Sequence, residues 1–193
     1  MIFIPLIHFV DVILGMSTVK KRIVAISGST RKQSTNYCLL LAIGRLTAED
    51  FDMVFWEGLS DIPPFNPDED TDAAPAAVLA FRQLLQSADG VIICTPEYAH
   101  GVPGALKNAL DWTVGSADFS GKPTLLITAS TDGKYGHPAL LETLRVIEAK
   151  NVERLQLLVS FARTKVSAEQ GITDGVTLKE IERLIIAFRE TIG

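Results

Sequence analysis

Apolar residues are distributed along this chain in two alternating patterns. Continuous runs at Arg22–Ile26, Asp52–Trp56, Gly90–Thr95, Pro123–Thr128 and Leu155–Ser160 predict five strands. The first, R-I-V-A-I, shows no polar alternation, as expected of a strand covered on both faces. Between the runs, apolar residues return at helical spacing. Tyr37, Leu40, Leu41, Ile43 and Gly44 make one stripe ending near Thr47, and Ala77, Phe81, Leu84, Leu85 and Ala88 make a second. Val102–Trp112 predicts a helix with Pro103 in its first turn. Leu140, Leu141, Leu144, Ile147 and Ala149 belong to another, and Leu178, Ile181, Leu184, Ile185 and Phe188 form the clearest face, opened by a capping box of Thr177 with Glu180. Gly58–Thr71, with Pro63, Pro64, Pro67 and a run of acids, predicts a loop.

Strands that alternate with helices predict an α/β domain, an open parallel sheet with helices on both faces. In such sheets ligands sit beyond the carboxyl ends of the strands, where the strand order reverses. With the order 2-1-3-4-5, the loops after the first and third strands face one crevice.

The first of these loops changes composition abruptly. Gly28 offers a residue tolerant of positive φ, and hydroxyls follow at Ser27, Ser29, Thr30, Ser34 and Thr35, with Arg31 and Asn36 among them. Gln33-Ser34 stands where a Walker loop needs Gly-Lys, and Ser29-Thr30-Arg31 lacks the further glycines of a dinucleotide fingerprint. Hydroxyls, helix N-terminal amides and one guanidinium suit a terminal monophosphate. The same residues also read as a helix N-cap beside a solvated arginine.

The loop after the third strand is T-P-E-Y-A-H-G-V-P-G, residues 95–104. Two prolines and two glycines hold an extended, uncluttered backbone, and Tyr98 supplies a flat face. A phosphate loop beside a flat-ring loop specifies a mononucleotide with an aromatic ring, a description flavin mononucleotide (FMN) meets.

The 193 residues are 47% hydrophobic, enough for one substantial core. A net charge of −5 argues against nucleic-acid and anionic-membrane surfaces. Cys38 and Cys94 sit in apolar patterns and read as buried thiols of a reducing, cytoplasmic protein without a disulfide; three scattered histidines give no metal site. Ile2–Leu14 is apolar but broken by Pro5, His8 and Asp11, and too short to span a bilayer. We expect Met16 to be the native start, with residues 1–15 an extension outside a single domain of residues 16–193; the alternative is an apolar appendage that docks on the fold or on a partner.

Gly28-Ser29-x-Arg31-x-x-Ser34-x-Asn36, Thr95-Pro96-Glu97-Tyr98 and the run from Val102-Pro103-Gly104 to Asp111-Trp112 resemble the NADPH-dependent FMN reductase family, whose relatives reduce chromate, quinones and azo dyes on the flavodoxin-like fold. The resemblance implies a three-layer α/β/α sandwich of strand order 2-1-3-4-5. It implies FMN as cofactor, NADPH or NADH as co-substrate, and ping-pong hydride transfer to a small acceptor such as free flavin, a quinone, an azo compound or a metal oxyanion. Ser29, Arg31, Ser34, Thr35 and Asn36 would hold the phosphate, and Pro96, Glu97, Tyr98, Ala99 and His100 would line the ring and ribityl chain. Ser130 and Gly133 would approach the flavin from the fourth loop, where Lys134 or His137 could meet the nicotinamide cofactor. No catalytic side chain is implied. Ala99 departs from the family's usual asparagine. The resemblance also suggests a homodimer or homotetramer, with Trp112 and Val114 exposed at a helix end. The rival is a flavodoxin-type electron carrier without NAD(P)H turnover.

Overall fold

A computed structural model describes residues 20–193; the apolar segment 1–15 and Met16 lie outside the described residues. Five parallel strands, β1 (Lys21–Ser27), β2 (Phe51–Trp56), β3 (Gly90–Thr95), β4 (Thr124–Ala129) and β5 (Gln156–Val159), form one sheet in the order β2-β1-β3-β4-β5. The register sets Ser27 beside Cys94 and Thr95 beside Thr128, so the loops after β1, β3 and β4 open on one rim. All six residues of β3 and of β4 are buried, while the edge strands β2 and β5 are covered only in part. This is the burial that uninterrupted apolar runs demand.

Alternate side chains of each strand enter opposite layers. On one face Ile23 and Ala25 join Leu39, Leu40 and Ile43 of α1 (Thr35–Leu46) and Ile181, Leu184 and Phe188 of α5 (Gly175–Ile192). On the other, Val24 and Ile26 join Phe81 of α2 (Ala76–Gln86), Leu106 of α3 (Gly104–Asp111) and Leu140 of α4 (Gly136–Val146). Two helices on one face and three on the other complete the expected sandwich. No helix among the described residues is long and apolar enough to cross a membrane.

Several local expectations are corrected. The Thr177–Glu180 capping box does not form: helix α5 starts earlier, and Asp174 accepts hydrogen bonds from the Thr177 amide at 2.8 Å and the Thr177 hydroxyl at 2.7 Å. Those two bonds hold the Asp174 carboxyl below the usual range. Pro103 caps α3 in an extended conformation instead of lying in its first turn, and α4 ends at Val146, leaving Ala149 in the core but outside the helix.

Trp112 is also corrected. It is fully buried, because the 62–66 segment folds over it: its indole N–H donates to Pro63 O at 2.9 Å and Phe65 meets the ring edge to face. Only Val114 of that pair is exposed. Cys38 is half-buried where full burial was expected, and Cys94 is buried. Two short elements carried no periodic signal, the antiparallel pair β6 (Val166–Ser167) and β7 (Gly171–Ile172).

Candidate active site

Gly28 directly follows β1, and its amide donates to Cys94 O at 2.8 Å, tying the loop to β3. The glycine is required by close approach, not by positive φ: a Cβ there would stand 2.6 Å from Thr95 Cβ and 2.9 Å from Leu106 Cδ2. Both neighbours are buried, so neither can retreat. Gly28→Ala should therefore destabilise the fold by about 1–3 kcal/mol through overpacking, read as a lower denaturant midpoint. An unchanged midpoint would show that the loop yields freely.

Beyond Gly28 the loop hydrogen-bonds to itself. The Ser29 amide donates to Ser27 Oγ at 3.3 Å, and the Arg31 amide donates to Ser29 Oγ at 3.3 Å. Ser34 is the N-cap of α1, its Oγ accepting from the Tyr37 amide at 3.1 Å. The N-cap reading is thus correct for Ser34, and it is compatible with anion binding: the cap fixes the helix end whose first residues, Thr35 and Asn36, line the cleft. Asn36 is buried, with Oδ1 accepting from Cys94 Sγ at 3.3 Å. Burial pushes the Cys94 thiol up, which keeps it protonated as that donor. Arg31 is exposed at the mouth.

Ser29, Arg31, Ser34, Thr35 and Asn36 line a cleft of about 220 Å³ together with Pro96, Glu97, Tyr98 and Ser130. The structure so brings together nine of the residues expected from the sequence, from the loops after β1, β3 and β4. It adds Ala129, Thr131, Ala162 and Arg163. Arg163 follows β5, and the Ala162 amide donates to Ser130 O at 3.0 Å, holding that turn against the cleft. The signal for it lay in the strand order, since β5 neighbours β4 and whatever follows β5 must emerge on the same rim.

Ala99, His100 and Gly133 stand outside the cleft lining. Ala99 and His100 occupy the corner of a tight turn, with φ of 47° and 59°, closed by reciprocal bonds between Tyr98 and Gly101. His100 stacks on Tyr135 at 4.2 Å between ring centroids. Gly133 has φ of 88° and is buried, its Cα facing Thr128 and Leu158, so it shapes the fourth loop from beneath. Lys134 points to solvent and pairs with Asp132 at 3.2 Å.

Glu97, which lines the cleft, has a further task in its side chain. Its carboxylate accepts the Tyr135 amide at 2.8 Å and the Gly136 amide, which are donors at the start of α4. Its own amide donates to Ser130 Oγ at 3.2 Å. Glu97 thus braces the third and fourth loops against each other.

His137 is buried between β4 and β5, away from the cleft lining. Its Nδ1 lies 2.8 Å from Thr128 Oγ1 and its Nε2 lies 2.8 Å from Gln156 Oε1. The Gln156 amide nitrogen donates to Glu153 O, which turns Oε1 toward the ring and places the imidazole proton on Nε2. Burial pulls the His137 pKa below its ordinary 6.5. Between the two pKa values the unfolded chain binds more protons here than the folded one, so stability is full above about 6.5 and falls as pH drops from there toward the folded value. Melting temperatures recorded from pH 7.5 to 5.5 should decline in the wild type and decline less in His137→Asn. Parallel curves would remove His137 from that acid sensitivity.

Hydroxyls, helix-terminal amides and a guanidinium at one end of the cleft fit a phosphate, and the open main chain of residues 96–98 fits a planar ring edge. Comparison with known proteins agrees with this chemistry. The profile of a family described as NADPH-dependent FMN reductase matches residues 21–164. A quinone reductase of Escherichia coli (strain K12) is 31% identical over 180 residues, which cover 90% of this chain and 96% of that protein. A 2-hydroxy-1,4-benzoquinone reductase of a Burkholderia species is 38% identical over 112 residues, 56% of this chain and 60% of that protein. Among solved structures, the flavoenzyme NAD(P)H:(acceptor) oxidoreductase FerB of Paracoccus denitrificans superposes with a TM-score of 0.72 at 26% identity, covering 89% of this chain and 97% of that one.

Proposed function

As this chain belongs to the NADPH-dependent FMN reductase family and is an FMN-dependent oxidoreductase fed by NAD(P)H, we propose that it passes the electrons to quinones. The observation that carries the reading is the cleft itself, a phosphate-type donor set joined to an open flat-ring wall. The names of the two quinone-reducing relatives support the acceptor class. An electron carrier without NAD(P)H turnover is not what this family is.

FMN, when bound, supplies the hydride and electron chemistry. The chain's own residues bind and orient. Ser29, the Thr35 and Asn36 amides and Arg31 would neutralise and fix the phosphate. The main chain of Pro96–Tyr98 and of Ser130–Thr131 would meet the ring edge and ribityl hydroxyls. Glu97 would act as a positioning residue, holding those two segments at a fixed separation. No side chain in the cleft is assigned proton transfer, so the cleft's contribution is orientation and charge. Steady NADPH oxidation by the FMN-loaded protein should be sustained by a benzoquinone far better than by chromate. The reverse preference would overturn the acceptor assignment.

Tyr98, Tyr135 and Phe161 are exposed at 53%, 55% and 66%, and each lies on a segment that borders the cleft. Aromatics exposed together favour a partner surface, and we assign them to a homo-oligomer. Light scattering at micromolar concentration should give a multiple of the chain mass; a monomer would contradict the assignment. The unpaired Cys38 and Cys94 support a reducing compartment, the cytoplasm.

A further inference from the structure

The proposed function leaves the buried thiol of Cys94 unused. Cys94 is the next-to-last residue of β3, and its side chain enters the layer that also holds Leu39 and Leu40 of α1. The strand thereby brings an S–H under the first turn of that helix. Cys94 Sγ lies 3.3 Å from Oδ1 of Asn36, the second residue of α1.

Asn36 is only 3% exposed, so each polar atom of its side chain must have a partner or open on the cleft it lines. Oδ1 accepts from the Cys94 thiol. Nδ2 donates to no group among the described residues, yet none of their buried side-chain polar atoms is both sealed and unpaired. Nδ2 is therefore open, and it opens on the cleft shared with Ser29 and Arg31, where the phosphate would lie.

The thiol decides this orientation. A carboxamide can turn over about its last torsion, exchanging oxygen for nitrogen with little change of shape. As observed, the S–H donates to Oδ1 and the nitrogen is left for the cleft. Turned over, Nδ2 would meet sulfur, a weak acceptor, the S–H would lose its partner, and Oδ1 would face the anion. The two orientations aim dipoles of opposite sign at a phosphate. Burial keeps the thiol protonated, which keeps its donor in place.

We propose that Cys94 is a positioning residue for phosphate binding: its thiol holds the Asn36 side-chain amide with the nitrogen toward the cleft, as a donor to the FMN phosphate. The proposal rests on the FMN reading of this cleft and adds to it a residue that does not touch the ligand.

The test titrates the flavin-free full chain with FMN and with riboflavin, in the wild type, Cys94→Ala, Cys94→Ser, Asn36→Ala and the Cys94→Ala/Asn36→Ala double variant. Cys94→Ala should weaken FMN about two- to tenfold, the worth of one neutral hydrogen bond, and leave riboflavin affinity unchanged. Cys94→Ser keeps an O–H donor beneath Oδ1 and should bind FMN like the wild type. Because Cys94 acts through Asn36, Cys94→Ala should cost nothing further once Asn36 is alanine. A merely structural Cys94 would weaken both ligands alike, and its loss would add to that of Asn36→Ala. Cys94→Val, β-branched and so suited to a buried strand but lacking a donor, is the second variant should Cys94→Ala not fold, and the same FMN-specific loss is expected of it. The proposal is overturned if the donor-free variants bind FMN like the wild type, if riboflavin loses as much as FMN, if the losses add in the double variant, or if Cys94→Ser is as weak as Cys94→Ala. A wild type that binds FMN no tighter than riboflavin defeats the phosphate reading itself, whereas a wild-type preference for FMN that Cys94 does not influence defeats this proposal alone.

Discussion

Replacing Arg31 by alanine is expected to weaken FMN binding about ten- to a hundredfold while leaving riboflavin binding and the melting temperature of the flavin-free protein unchanged. Arg31 lies on an exposed loop at the cleft mouth, outside both halves of the core. A surface substitution of that kind shifts stability by no more than about half a kcal/mol. A guanidinium on a phosphate is a charge-assisted hydrogen bond, worth about 1.5–3 kcal/mol. That range converts to the stated loss of affinity. Riboflavin is the control because it lacks the phosphate. Titrating wild type and Arg31→Ala with both ligands separates the outcomes: equal FMN affinities would make Arg31 a solvated residue and remove the phosphate assignment from this loop.

The second large effect falls on stability and binding together. Glu97→Ala removes the carboxylate that accepts the Tyr135 and Gly136 amides, leaving the first donors of α4 without that partner. Losing hydrogen bonds to a charged acceptor costs about 1.5–3 kcal/mol, which for a domain of this size lowers the melting temperature by roughly 3–12 °C. FMN affinity should fall as well, because the same bonds fix the separation of the third and fourth loops. Glu97→Gln keeps one acceptor oxygen and should lose less of both. Calorimetry of the flavin-free variants decides the stability part. A Glu97→Ala protein that melts with wild type would show that water satisfies α4 equally well.

These two residues also mark what a linear sequence reveals and what it hides. The strands were legible because β1, β3 and β4 are sealed on both faces, so that uninterrupted apolar runs have no other use. The first loop was legible because its donors are contiguous: Ser29 to Asn36 turn into one helix end, and proximity in sequence becomes proximity in space. Glu97 was legible as a site residue but not as a brace, since its partners at Tyr135 and Gly136 are 38 and 39 positions away. Gly28 was recognised for the wrong reason; its constraint is the Thr95 side chain of a neighbouring strand, which no local pattern encodes. Asp174 displaced the Thr177 capping box because both lie within one turn and either could begin α5, and the carboxylate accepts two bonds where the box would make a reciprocal pair. Trp112 could not be placed without the proline-rich segment that covers it, and Arg163 falls in a turn with no period at all.

The central claim, that this cleft lets FMN take electrons from NAD(P)H and give them to a quinone, is tested most directly by rapid mixing without oxygen. FMN-loaded protein mixed with NADPH, and separately with NADH, is followed by the absorbance of oxidised flavin, and a benzoquinone is added once the signal is steady. The expected result is fast bleaching with at least one nicotinamide donor, followed by full recovery of the oxidised spectrum on adding the quinone. Flavin that stays oxidised with both donors, or bleached flavin that the quinone leaves unchanged, would contradict the account.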